Sequence, residues 1–302
     1  MADSIRKLRM GDGSYLPLPQ RRPAPPRQPP PVTGGAEGSR APERQETGMS
    51  AVRRSPASQG QVTIFGIGSV GSNSATSLAQ MNYRLIVADG DRVSESNLEG
   101  GRSAFLPETL GMYKASALEH TLLRLGLKVE IATFRRMVQE FSDQEIRSLG
   151  AQSDAVLASF DESEQLLRLN GLLYEVCPVV YPGFHQGART GHVITTIPGV
   201  TACLRCSMGI RSADQLRTLH AEPGFPPDIR RVADTVVRVI SWLCAEQGSE
   251  TDRLLDPARN IIFLDNRPSG TLDRSLSVHL LSADRNQDCA VCGRGFGNTE
   301  RR

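Results

Sequence analysis

The chain has 302 residues, a formal charge of +2 and 23% charged residues, enough for one large or two modest domains with a substantial core. Residues 1–60 hold 10 Lys and Arg against 5 Asp and Glu, and the remainder 25 against 28, so the part able to fold is mildly acidic. That balance argues against a duplex-binding face, and no run of about 18 apolar residues occurs to cross a membrane. Neither nucleic acid nor membrane is expected as a partner. No apolar stretch before a small-residue cleavage site marks a secretory leader, so the six cysteines point to a reducing, cytoplasmic setting.

Residues 1–58 contain 10 of the 19 prolines, in runs such as Pro23-Ala24-Pro25-Pro26 and Pro29-Pro30-Pro31. With few large apolar side chains to offset ordering entropy, this basic leader is expected to be disordered. Order is expected from residue 59 to 295, followed by a flexible tail over 296–302. The first apolar run, Val62-Thr63-Ile64-Phe65, reads as a buried parallel strand. A loop Gly66-x-Gly68-x-x-Gly71 follows, then a helix from Ser72 to Met81 and a strand Arg84–Ala88 that ends at Asp89.

That context fits a phosphate-binding turn. Gly66 allows the sharp bend, Gly68 lets backbone N–H groups approach a phosphate, and Gly71 permits close helix packing. Asp89 stands where a carboxylate would accept ribose hydroxyls. Taken alone, the loop is compatible with NAD or FAD, with another nucleotide, or with a purely structural turn.

Further along, a helix is predicted over Lys114–Leu125 and a strand over Val129–Thr133. Ser142-x-x-Glu145 is a capping box opening another helix. The pattern continues with a strand at 154–159, a helix at Leu166–Glu175 and a strand at Pro178–Tyr181. This alternation predicts a Rossmann-like α/β fold with a doubly wound, mostly parallel sheet. From His192 the pattern changes to an extended segment, a helix over Val232–Glu246, and two antiparallel strands at Ile261–Leu264 and Ser275–Leu281. Cys203-x-x-Cys206 and Cys289-x-x-Cys292 are 82 residues apart and together make a four-thiolate set suited to tetrahedral zinc. Redox chemistry at either pair and unrelated free cysteines are the competing readings.

The run Asp89-Gly90-Asp91-Arg92-Val93-Ser94-Glu95-Ser96-Asn97-Leu98, followed by Gly111-Met112-Tyr113-Lys114, resembles the ThiF/MoeB/HesA superfamily of ubiquitin-activating-type adenylyltransferases. The likeness extends through Asp154–Asp161 and both cysteine pairs, covering about residues 61–293. It implies that ATP and Mg²⁺ are used to activate a carboxylate, the C-terminus of a ubiquitin-like or sulfur-carrier protein or of a peptide. It further implies a structural Zn²⁺ on Cys203, Cys206, Cys289 and Cys292, and a homodimer.

Within the resemblance, Lys114 would meet the phosphates, Asp161 would hold Mg²⁺, Asp89 would anchor the ribose, and Asn97 would line the pocket. Against these stand ordinary roles: a solvated helix lysine, a helix N-cap, a strand-end turn and a turn-forming asparagine.

The chain departs from the family pattern in three places. The arginine of the family's N-L-x-R-Q run is displaced, and Arg102 would replace it through a short insertion. No cysteine occupies His220–Gly224, where a thioester-forming member would carry one, and Cys177 and Cys244 read as core residues. The R-Y-x-R-Q segment is not visible, although Arg44-Gln45 or Arg53-Arg54 lie in that region. His185 and His192 read as structural residues at the pocket rim. Two alternatives follow: an inactive partner-binding member of the family, or a nicotinamide- or flavin-dependent oxidoreductase.

Overall fold

The computed structural model of the chain describes residues 7–9, 15–17, 59–185, 188–209, 224–245, 258–266 and 276–293. Within the leader, β1 (Lys7–Arg9) and β2 (Tyr15–Pro17) form a short antiparallel pair. The other leader residues to 58, on which disorder was expected, and the 296–302 tail lie outside the described residues.

From Gln61 the expected alternation is present. The strands are β3 (Gln61–Phe65), β4 (Arg84–Ala88), β5 (Ile131–Phe134), β6 (Ala155–Ala158), β7 (Val179–His185), β8 (Thr190–Thr196), β9 (Ile261–Asp265) and β10 (Ser277–Leu281). They form one eight-stranded sheet in the order β10-β9-β8-β7-β6-β3-β4-β5. The five strands β7-β6-β3-β4-β5 are parallel; β8, β9 and β10 extend the sheet antiparallel. The chain winds from β3 outward through β4 and β5, then returns to β6 on the other side of β3. A topological switch point therefore opens between the C-terminal ends of β3 and β6, where doubly wound sheets bind ligands.

Helices cover both faces. The helices α1 (Ser69–Gln80), α3 (Lys114–Arg124) and α7 (Pro226–Cys244) pack on one face, against Val62, Ile64, Leu85, Val87 and Leu157. On the other face α4 (Asp143–Gln152) and α5 (Ser163–Leu173) cover Phe65, Ile86, Val156 and Val179. Strands sandwiched in this way are apolar on both sides, which is why β3, β4 and β6 read as continuous hydrophobic runs. Helix α7 buries Val232, Val236, Val239 and Ile240 at the i, i+4, i+7, i+8 spacing of one helical face. Each such side chain contributes about 1.5–3 kcal/mol relative to exposure.

Three helix starts differ from the sequence reading, among them α5, which begins at Ser163 rather than Leu166. Helix α1 begins at Ser69 rather than Ser72, because the glycine loop itself enters the first turn. Helix α7 begins at Pro226 rather than Val232; two prolines fit a first turn, whose N–H groups have no intrahelical partner. Among the described residues no helix is long and apolar enough to cross a membrane.

The capping box at α4 forms as the sequence predicts: the Glu145 backbone N–H donates to Ser142 Oγ, and the Ser142 N–H donates to Glu145 Oε2 at 2.7 Å. The hydrogen-bonded Arg136 guanidinium, aided by the Ser142 backbone N–H and hydroxyl, holds the Glu145 carboxyl down at about 2. A depressed folded-state pKa means that this carboxylate's stabilisation is present above the ordinary value of 4.5 and lost as pH falls towards 2. Ser142→Ala should therefore lower stability by about 1 kcal/mol at neutral pH. In thermal melts, Glu145→Gln should weaken the fold at pH 7 and bring it closer to wild type at pH 2–3.

Candidate active site and cysteine cluster

The glycine loop closes the end of β3. Gly66 has φ +88, a left-handed conformation that glycine adopts without strain, and a β-carbon on it would overlap the Ser159 carbonyl at the end of β6. A β-carbon on Gly71 would collide with the Gly66 carbonyl. These two contacts bring β3, β6 and the start of α1 together. Over Gly68 there is open space, and no side chain caps α1. Its N-terminus is thus presented with its dipole and its N–H groups facing the crevice, an arrangement suited to phosphate.

Asp89 fixes this loop from the end of β4. Its Oδ2 accepts the Ile67 N–H at 2.6 Å and its Oδ1 accepts the Asp91 N–H at 2.8 Å. The side chain is 7% exposed. Burial raises its pKa, while the Lys114 charge and the two backbone N–H groups act against that rise. Asp89 therefore braces the loop; each oxygen keeps a second lone pair for another donor.

Lys114 stands at the first position of α3, next to the same strand end. Its Nζ lies 2.8 Å from Asp91 Oδ2, and its backbone N–H donates to the Asp91 carbonyl at 2.8 Å. The lysine side chain is 13% exposed and its partner 55%. It is not a solvated helix lysine. Asp91, which the sequence reading left without a role, anchors it at both ends; the signal was the Asp89-x-Asp91 spacing. Next to it the guanidinium groups of Arg92 and Arg135 lie over the Tyr113 ring, 4.0 and 5.7 Å from its centroid.

The remaining candidates are placed as follows. Asn97 Oδ1 accepts the Ser94 N–H at 3.0 Å, capping the short helix α2 (Glu95–Leu98). The Arg102 segment is stitched to the start of α1, where Asn73 Nδ2 donates to the Arg102 carbonyl at 2.7 Å and the Ala104 N–H donates to Ser72 Oγ. Arg230 on α7 donates to the Gly101 carbonyl and adds a second cation there. Asp161 follows β6 and is exposed; the N-cap of α5 is Glu162, so Asp161 is not the helix cap.

Lys114 and the glycine loop are brought into one site by Asp89 and Asp91, with Arg102 beside α1 and Asp161 at the end of β6. A cavity of about 360 Å³ lined by Gln61, Arg84, Glu119 and Glu130 lies at the opposite ends of β3–β5, away from these residues.

His185 and His192 pair with each other, Nε2 to Nδ1 at 2.9 Å. Burial first, and then the His185 charge, push the His192 imidazole down to about 3. Cys177 is buried in the α4/α5 face, and Cys244 packs against the α7 face. The His220–Pro223 segment lies outside the described residues.

The four other cysteines meet at the far end of the sheet. Cys203 caps α6 (Leu204–Ser207), which carries Cys206; Cys289 and Cys292 lie in the turns after β10. All four sulfurs lie within 4.8 Å of one another. Cys203 Sγ is 3.7 Å from Cys289 Sγ, and Cys206 Sγ is 3.5 Å from Cys292 Sγ. A disulfide would require about 2.05 Å. A tetrahedron with Zn–S bonds of about 2.3 Å has edges of about 3.8 Å, so the quartet could hold zinc with no open coordination position. We expect one zinc per chain by metal analysis, and a Tm lowered by roughly 5–10 °C in Cys203→Ser or Cys289→Ser. A fully stable, metal-free wild type would refute the assignment.

A sequence profile of the ThiF family matches residues 44–250. Ubiquitin-like modifier-activating enzyme 5 of Gallus gallus is 28% identical over 158 residues, covering 48% of this chain and 39% of the relative. The enzyme of the same name from Oryza sativa subsp. japonica is 30% identical over 175 residues, covering 53% and 41%. The chain thus spans about two fifths of the length of these curated relatives. Among solved structures, E. coli MccB with ATP superposes with a TM-score of 0.60 at 18% identity, covering 78% of this chain and 68% of that one. The matched segment contains the glycine loop, Asp89, Asp91, Lys114, Asp161 and the first cysteine pair, and the chain belongs to the ThiF family.

Proposed function

We propose that this protein uses Mg-ATP to adenylylate a carboxylate at the C-terminus of a ubiquitin-like or sulfur-carrier protein, or of a peptide. One observation carries the reading: an uncapped helix N-terminus, Lys114, the Arg102 segment and Asp161 all gather at the C-terminal ends of β3, β4 and β6. The ThiF profile and the likeness to modifier-activating enzymes support it. The substrate carboxylate oxygen bonds to the α-phosphorus, the bond to the bridging β-phosphate oxygen breaks, and pyrophosphate leaves with that electron pair. Such a displacement needs cations around the phosphates as charge moves to the leaving group.

Lys114 supplies one fixed positive charge after exchanging Asp91 for phosphate, and Arg102 supplies another. Asp161 would hold Mg²⁺, which would supply positive charge to the phosphates. The acyl-adenylate is the product on this chain, since no cysteine occupies His220–Gly224 to accept a thioester. A homodimer is part of the same proposal.

The test is ATP–pyrophosphate exchange on zinc-replete protein with a panel of Gly-Gly-terminated carrier proteins and short peptides. Carrier- or peptide-dependent exchange is expected, and Lys114→Ala or Asp161→Ala should each reduce it at least about 100-fold. Asp161→Ala should leave the melting curve unchanged, whereas Lys114→Ala, which removes the ion pair to Asp91, should lower it while the chain stays folded. Exchange indifferent to both substitutions would refute the site. ATP binding without exchange on any partner would favour a binding-only member, a reading motivated by the displaced arginine.

A further inference from the structure

The cysteine quartet is assembled from two segments that share no strand pairing, and one side chain ties them together. Arg285, four residues before Cys289, donates from Nε to the Thr201 carbonyl at 3.1 Å and from Nη2 to the Gly199 carbonyl. Both acceptors belong to the loop that delivers Cys203. The Thr201 carbonyl also accepts the Tyr174 hydroxyl at 2.6 Å, from the residue that ends α5. Tyr174 is 2% exposed and packs directly with Cys203, Cys289 and Cys292. One turn earlier, Asn170 Oδ1 accepts the Leu204 N–H at 2.9 Å, fixing the start of the helix that carries Cys206.

Arg285 thus sets its guanidinium on the carbonyls two and four residues before Cys203, on the segment that leads into the quartet. Four thiolates around one Zn²⁺ leave a net charge of −2, which a poorly solvated site must offset. Buried thiols at such a site bind metal only after losing their protons, so a fixed cation beside them favours the loaded state. Arginine suits the position because its planar fork reaches two carbonyls at once and remains charged.

We propose that Arg285, with Tyr174, is an outer-sphere positioning residue of the zinc site: it holds the two half-sites in register and offsets the charge of the loaded quartet. The inference rests on zinc being the occupant, and it is independent of the adenylylation reading.

The test is competition for zinc between the folded protein and a chelating indicator, comparing wild type with Arg285→Met and Arg285→Lys. Arg285→Met should bind zinc about 10- to 100-fold more weakly. Arg285→Lys, which keeps the charge but loses the fork, should fall between the two. A merely structural brace would destabilise the metal-free and loaded chains equally and leave the zinc affinity unchanged, and that result would overturn the proposal. If Arg285→Met does not fold, Tyr174→Phe decides, since it removes one hydroxyl from the same carbonyl. Weaker zinc binding then supports the inference, and wild-type affinity overturns it. A wild type that takes up no zinc would instead remove the metal assignment itself.

Discussion

Everything at the C-terminal ends of β3, β4 and β6 depends on how closely three backbone segments approach one another. The end of β3 can bend under α1 and against the end of β6 only because Gly66 and Gly71 carry no side chain where the Ser159 and Gly66 carbonyls lie. Asp89 then locks the bend by taking the Ile67 N–H, at the cost of a buried carboxylate. That cost is offset by two backbone donors and by the Lys114 ammonium, which is itself paired with Asp91. Under the proposed function, the cation that would meet phosphate is thus already part of the balance that keeps the loop in shape. A phosphate that takes over Lys114 would replace one anionic partner with another, which limits the electrostatic cost of the exchange.

Much of this was legible in the sequence, for identifiable reasons. The strands β3, β4 and β6 are buried on both faces, so their apolar runs carry the information directly. The α4 capping box was readable because both of its members bond locally. Helix starts were less readable: the apolar spacing points to Val232, whereas the first turn is already formed at Pro226 and Pro227. At the site, the spacing of glycines and acids marks the positions but not the partners. Asp89 was expected to anchor a ribose, and the structure adds that its two oxygens accept backbone N–H groups while each keeps a second lone pair. Asn97, expected to line the pocket, accepts the Ser94 N–H through its side-chain oxygen. Asp91 went unassigned because an ion pair across 23 residues leaves no periodic trace.

The cysteine quartet shows the same limit from the other side. Ligand identity is fully present in two short motifs, whereas the braces around them come from α5 and from position 285, which no motif links to the cysteines. Helix α5 begins just after Asp161 and ends at the residues that brace the cysteines. One helix therefore spans from the end of β6 to the cluster, and the placement of both ends is set by the same packing on Val156 and Val179.

The long separation between the two cysteine pairs has a consequence for the lifetime of the fold. Cys203 and Cys289 are 86 positions apart, with α7, β9 and β10 between them. Their sulfurs meet only after the antiparallel extension has docked, so the closure entropy of a long loop is met late in folding. Contacts made that late stabilise the finished state more than the barrier leading to it, and they act mainly by slowing unfolding. A metal held there would govern how long the sheet's far edge stays closed, while the speed of assembly would remain with the parallel strands around β3.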